Sequence, residues 1–288
     1  MSDDPTNSSA TDDGRRAFLK TSLALGFALA VQPVSAQTIT TSSDGLVAGE
    51  VQVPSLGVDI PAYRAMPSGT GPFPVMLVIQ EIFGVHEHIK DVCRRFAKLG
   101  YYAIAPELYA RQGDPSTADI QKIVTEIVPN VPDAQVMADL DNTVAFAKAS
   151  GSGDTTRLGA TGFCWGGRII WLYAAHNKDL KAAVAFYGIL GGKASPTSTL
   201  KPQNPLDIVS TIKTPVLGLY GGKDDNIPAA LIEQMRAGLS RAKSPAEIVV
   251  YPDTPHGFFA DYRPSYHKAA AEDAWARAQG WFKQYGVV

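Results

Sequence analysis

The chain has 288 residues, 45% of them hydrophobic and 19% charged, an ordinary composition for a globular protein. The 26 Lys and Arg against 28 Asp and Glu leave a formal charge of -2, which excludes the basic surplus of a nucleic-acid-binding protein. Two cysteines, Cys93 and Cys164, are too few for a disulfide framework.

Residues 1–14 are polar and rich in Ser, Thr and Asp, with too little apolar surface to pack. Arg15 and Arg16 then precede Ala17-Phe18-Leu19-Lys20, an apolar run from Leu23 to Val31, and the small-residue site Val34-Ser35-Ala36. A charged start, a short apolar stretch and an A-x-A-like end describe a secretory signal, and the paired arginines describe a twin-arginine (Tat) signal. The run falls short of the roughly 20 residues of a membrane span. Residues 1–36 are therefore expected to direct export through the Tat machinery to the bacterial periplasm or beyond, with residues 37–288 as the mature chain.

After a loose lead-in, residues 49–66 are expected to form a hairpin that turns near Ser55-Leu56-Gly57. Val75–Ile79 is an apolar run of strand length, suited to a strand buried on both faces. A helix over 87–99 should end at Gly100, and Tyr102–Ala105 should be a strand stopped by Pro106. Helices are expected over 116–128 and 133–149, separated by Pro129 and Pro132. Strands then fall at Arg157–Gly162, Ala182–Tyr187, Pro215–Tyr220 and Glu247–Tyr251. Helices follow at Gly166–His176, after Pro228 and over 265–285, with a loop at 189–210. This alternation predicts a single α/β domain over 37–288, a mostly parallel sheet with helices on both faces. Its chemistry should sit at the C-terminal strand ends.

The sharpest motif is Gly162-Phe163-Cys164-Trp165-Gly166-Gly167, at a strand-to-helix junction. G-x-nucleophile-x-G is the elbow that raises a side chain above an α/β-hydrolase sheet, and here the nucleophile is a cysteine. A helix start favours negative charge and so favours the thiolate. Asp224 and Asp225 follow one later strand and His256, in Pro255-His256-Gly257-Phe258, follows the last. Nucleophile, acid, histidine is the α/β-hydrolase chain order. His256 can take the thiol proton while Asp224 orients the ring, with Asp225 as the competing acid. His86 and His88 have i, i+2 spacing, unlike the i, i+4 pair of a helical zinc site. No metal or organic cofactor is expected.

Taken with Gln80-Glu81-Ile82-Phe83-Gly84, Pro106-Glu107-Leu108-Tyr109-Ala110-Arg111 and Phe186-Tyr187-Gly188, these motifs cover nearly the whole mature chain. The chain resembles the dienelactone hydrolase (carboxymethylenebutenolidase) family of the α/β-hydrolase superfamily. The resemblance implies a Cys164-Asp224-His256 triad, and a glutamate, Glu81, that pairs with the thiol and moves when substrate binds. It implies an oxyanion hole from the N–H groups of Ile82 and Trp165, with Arg111 binding a substrate carboxylate and Tyr187 lining the pocket. One departure stands out. The family's second arginine, four residues past the histidine, is here Ala260, and Arg263 is the candidate substitute.

The expected activity is opening of a small lactone or ester through a covalent thioester. A general carboxylesterase or thioesterase and a non-catalytic ligand-binding homologue are the alternatives. A redox role lacks the C-x-x-C or nearby resolving cysteine it would need. Nothing in the sequence specifies an oligomer.

Overall fold

The computed structural model describes residues 38–288. The expected signal segment, residues 1–36, lies outside them. β1 (Leu46–Ser55) and β2 (Val58–Pro67) form the hairpin, turning on Leu56 and Gly57. β3 (Phe73–Ile79), β4 (Tyr102–Pro106), β5 (Gly153–Phe163), β6 (Ala182–Phe186), β7 (Val216–Gly221) and β8 (Glu247–Tyr251) complete one eight-stranded sheet. The order is β1-β2-β4-β3-β5-β6-β7-β8, antiparallel at β1/β2 and β2/β4 and parallel from β4 to β8. This is the α/β-hydrolase fold.

The longer helices among the described residues are α1 (Glu87–Lys98), α2 (Asp133–Ala149), α3 (Trp165–His176), α4 (Ala229–Arg241) and α5 (Lys268–Gln284). They lie on both faces. Gly159 and Gly162 of β5, three residues apart, point to opposite sides. Beside Gly159 stand Phe282 of α5 and Val287, and beside Gly162 stand Gly166 and Ile170 of α3. Phe96 of α1 packs on Trp275 of α5 at 4.7 Å, and Tyr173 of α3 donates to Asp141 of α2. The inner strands are buried along their length, as their uninterrupted apolar sequences require.

Two elements depart from the sequence reading. The helix expected from 116 begins at Ile120, because Asp114 turns the chain by accepting from the Ser116 N–H, and Asp119 caps the start by accepting from Lys122. One π turn, Ile123–Ile127, and one 3-10 turn, Val128–Asn130, complete that segment. The last helix starts at Lys268 rather than 265, since residues 263–267 turn back on the His256 loop. There His267 donates its N–H to the Phe258 carbonyl and caps the helix with its ring. The loop at 189–210 carries single 3-10 turns at Gly192–Ala194 and Val209–Thr211.

Candidate active site

Strand register brings the chemistry together. Ile79 of β3 pairs with Gly162 of β5, so Glu81 and Cys164 each stand two residues beyond the same rung. Phe163 pairs with Phe186, which sets Tyr187 level with Cys164. Gly221 of β7 pairs with Tyr251 of β8, and Asp224 and His256 lie just past them. Strand order reverses around β3, with β4 on one side and β5 on the other, so the β3 and β5 ends flank the crevice where open α/β sheets bind ligands.

At the elbow, Cys164 has φ of +56° and ψ of -112°, and its N–H donates to the Phe186 carbonyl at 3.0 Å. Such a conformation costs on the order of 1–3 kcal/mol in a non-glycine residue, and strain of this kind gathers where function uses it. Here it lifts the thiol off the strand at the start of α3. The turn closes because Gly162 and Gly166 lack side chains. A Cβ on Gly162 would stand 2.4 Å from the Gly166 carbonyl oxygen, and one on Gly166 would stand 2.4 Å from that of Gln80.

Asp224 and His256 sit on loops tied together by Gly222 N–H to Tyr251 O and Lys223 N–H to Thr254 O. The Asp224 Oδ2 lies 2.7 Å from His256 Nδ1, while Oδ1 accepts the Asn226 N–H at 2.9 Å. Asp225 is exposed. Burial alone would lower the His256 pKa. The charges of Asp224 and Cys164, with hydrogen bonds to both, raise it instead to about 10. The ring thus joins the carboxylate to the sulfur. Tyr187, in a left-handed conformation at φ of +39°, packs edge-on to that ring at 5.0 Å.

Glu81 is fully buried. Its Oε2 accepts from the Tyr262 hydroxyl at 2.5 Å and stands 3.3 Å from His86 Nε2. Its Oε1 faces Arg263 Nη2 at 3.3 Å, and Arg263 Nε donates to the Tyr262 oxygen at 3.0 Å. Burial would raise the Glu81 pKa, but Arg263, then His86 and His88, hold it well below the usual carboxylate range. His88 is buried and bonded to Asp261, which Arg95 also holds. Glu107 lies nearby, accepting the Val85 N–H at 2.8 Å, and burial pushes its pKa up.

Of the residues expected from sequence, Asp224, His256 and Tyr187 meet around Cys164. Arg263 and Glu81 form an adjoining ion pair, and Arg263 is within electrostatic reach of the thiol. Ile82 directly follows Glu81, and Trp165 is the first residue of α3, whose opening N–H groups have no partner within the helix. Arg111 is engaged elsewhere. It meets Asp139 with both terminal nitrogens, at 2.8 and 3.0 Å, and donates to the Ser55 carbonyl at 2.8 Å. The face that would take a substrate carboxylate already takes a carboxylate of the chain. Sequence reasoning missed His86 and Tyr262 as Glu81 partners. The proximity of His86 to Glu81 was a readable signal, obscured by testing the histidines only as metal ligands.

Comparisons with known proteins bear on the family and the fold. The model of the dienelactone hydrolase family matches residues 60–286. A protein of Methylorubrum extorquens named "Putative carboxymethylenebutenolidase" is 62% identical over 276 residues, covering 95% of this chain and 94% of its own. One of the same name from Escherichia coli K12 is 56% identical over 263 residues, 91% of this chain and 96% of its own. The crystal structure of a "Putative Dienelactone Hydrolase" from Klebsiella pneumoniae superposes with a TM-score of 0.80 at 56% identity, covering 83% of this chain and 99% of that one. Matches of this extent, on a sheet of this topology, mean that the chain belongs to the dienelactone hydrolase family of carboxylic ester hydrolases.

Proposed function

We propose that this chain hydrolyses a small lactone or ester through a thioester on Cys164. The observation that carries the reading is the line Asp224–His256–Cys164, with the histidine bonded to the acid at 2.7 Å and shifted upward by both neighbours. A shift in that direction favours an imidazolium beside a thiolate, the reactive form of a cysteine nucleophile. The thiolate attacks the carbonyl carbon, and the Ile82 and Trp165 N–H groups receive the developing oxyanion. The tetrahedral centre collapses, the imidazolium protonates the departing oxygen, and the acyl group stays on sulfur. His256 then takes a proton from water, which attacks the thioester and frees the acid. Glu81, kept anionic by Arg263, is the second carboxylate proposed to serve the thiol when substrate displaces it.

Cys164→Ala should abolish turnover of an activated ester while the fold persists. Rapid-quench mass spectrometry of the wild type should show one acyl adduct on Cys164. Retained turnover in the variant, with no adduct in the wild type, rules out the assignment. The general esterase reading is favoured over a dedicated dienelactone hydrolase by one observation, the engagement of Arg111 by Asp139. The paired arginines and apolar run of residues 15–31 support a further proposal, export by the twin-arginine route.

A further inference from the structure

The polar groups around the thiol are unevenly committed. Arg263, within electrostatic reach of Cys164, is buried and shared between Glu81 and Tyr262. Asp224, Glu81 and the Cys164 thiolate would outnumber Arg263 and the His256 imidazolium, leaving the rim negative overall. Arg111 is closed against Asp139. Neutral groups are left over as well. Besides the Tyr109 hydroxyl and Gln80 Nε2, which lie together, the Trp165 indole Nε1, beside the nucleophile, and the Tyr187 hydroxyl are buried and have no hydrogen-bond partner among the described residues. Trp165 packs edge-on to Tyr109 at 4.9 Å, and Tyr187 packs on His256. Each ring is therefore held in place by a neighbouring ring of the site.

Buried donors without partners are costly, and a ligand that supplies the acceptor removes the cost. A carboxylate could also accept from them. Its desolvation works against that choice, because the charge of Arg263 is already set against the Glu81 carboxylate at 3.3 Å. We propose that the site selects uncharged esters or lactones bearing a second neutral oxygen near the scissile carbonyl, received by the Trp165 indole N–H and the Tyr187 hydroxyl, and selects against substrates carrying a carboxylate. The inference rests on the hydrolase reading above and narrows its substrate class.

Matched esters test it. 4-Nitrophenyl methyl glutarate and 4-nitrophenyl hydrogen glutarate differ chiefly in one charge at the far end. 4-Nitrophenyl methoxyacetate and butyrate are nearly the same shape and differ in one acceptor oxygen. With kcat/KM normalised to each ester's hydroxide rate, the neutral glutarate should exceed the anionic one at least tenfold at pH 7.5. Methoxyacetate should exceed butyrate several-fold, and Trp165→Phe or Tyr187→Phe should shrink that ratio toward one. An anionic ester cleaved as well as its neutral partner overturns the charge selection. A methoxyacetate-to-butyrate ratio near one in the wild type overturns the donor assignment without any variant, as does a ratio untouched by both substitutions. If none of the four esters is turned over above the Cys164→Ala background, the hydrolase reading falls and takes this inference with it.

Discussion

His256 owes its raised pKa to neighbours contributed by other strands, so its titration reports the assembled site. Asp224 acts on it through both charge and a hydrogen bond. In Asp224→Asn the His256 pKa, followed by NMR of the ring carbon proton, should move down from about 10. Turnover should fall by about 10³–10⁴-fold, the order seen when a triad carboxylate becomes an amide. The sign for stability follows. A histidine whose pKa is raised on folding adds stability that is fully present below its unfolded value near 6.5 and is lost as pH rises through about 10. Melting curves of the wild type should therefore lose ground between pH 7 and 10, and Asp224→Asn should lose less. Glu81 shows the reverse case, since its lowered pKa adds stability that disappears on acidification.

The elbow and the β1-β2 turn show how whole elements depend on close approach. The start of α3 touches the end of β3, and the carbonyls of Ile79 and Gln80 occupy the space that a side chain at position 166 would need. Gly166→Ala should separate α3 from β3, lower stability by about 1–3 kcal/mol in denaturant titration, and reduce kcat by displacing Cys164. At the other edge of the sheet, Arg111 fastens α2 to the hairpin through Asp139 and Ser55. Asp139 is fully buried and also accepts from the Ser55 hydroxyl at 2.5 Å. Arg111→Met should strand that carboxylate and cost about 3–5 kcal/mol, the range for breaking a buried pair. Coupling the change with Asp139→Leu should recover most of the loss, and the two melting curves check it.

At the scale of the molecule, parallel packing places four loops along one edge. Glu81, Cys164, Asp224 and His256 come from segments after β3, β5, β7 and β8, and Tyr187 after β6 completes the row. No helix among the described residues is long and apolar enough to cross a membrane. Export is the task proposed for residues 1–36 on their own sequence, whose arginine pair is the specific feature. Replacing Arg15 and Arg16 together by lysine in the full chain should leave the protein in the cytoplasmic fraction, whereas the unaltered chain should appear in the periplasmic fraction. Equal distribution of the two would rule out the twin-arginine route.

Local sequence determined the element order, the elbow around Cys164 and the positions of Asp224 and His256, because strand hydrophobicity, glycine-bounded turns and chain order are local signals. Their limits showed at the 116–128 segment and at residue 265, where side-chain turns and return contacts to the His256 loop decided where helices begin. Tertiary structure alone selected Asp224 over Asp225 as the partner of His256, since only folding buries one and leaves its neighbour in water. It alone turned Arg111 toward Asp139, gathered Tyr262 and Arg263 on Glu81, and left Trp165 and Tyr187 with donors to spare. Charge pairing in a buried site depends on which loops meet, and residues as far apart as Glu81 and Arg263 carry no local mark of their encounter.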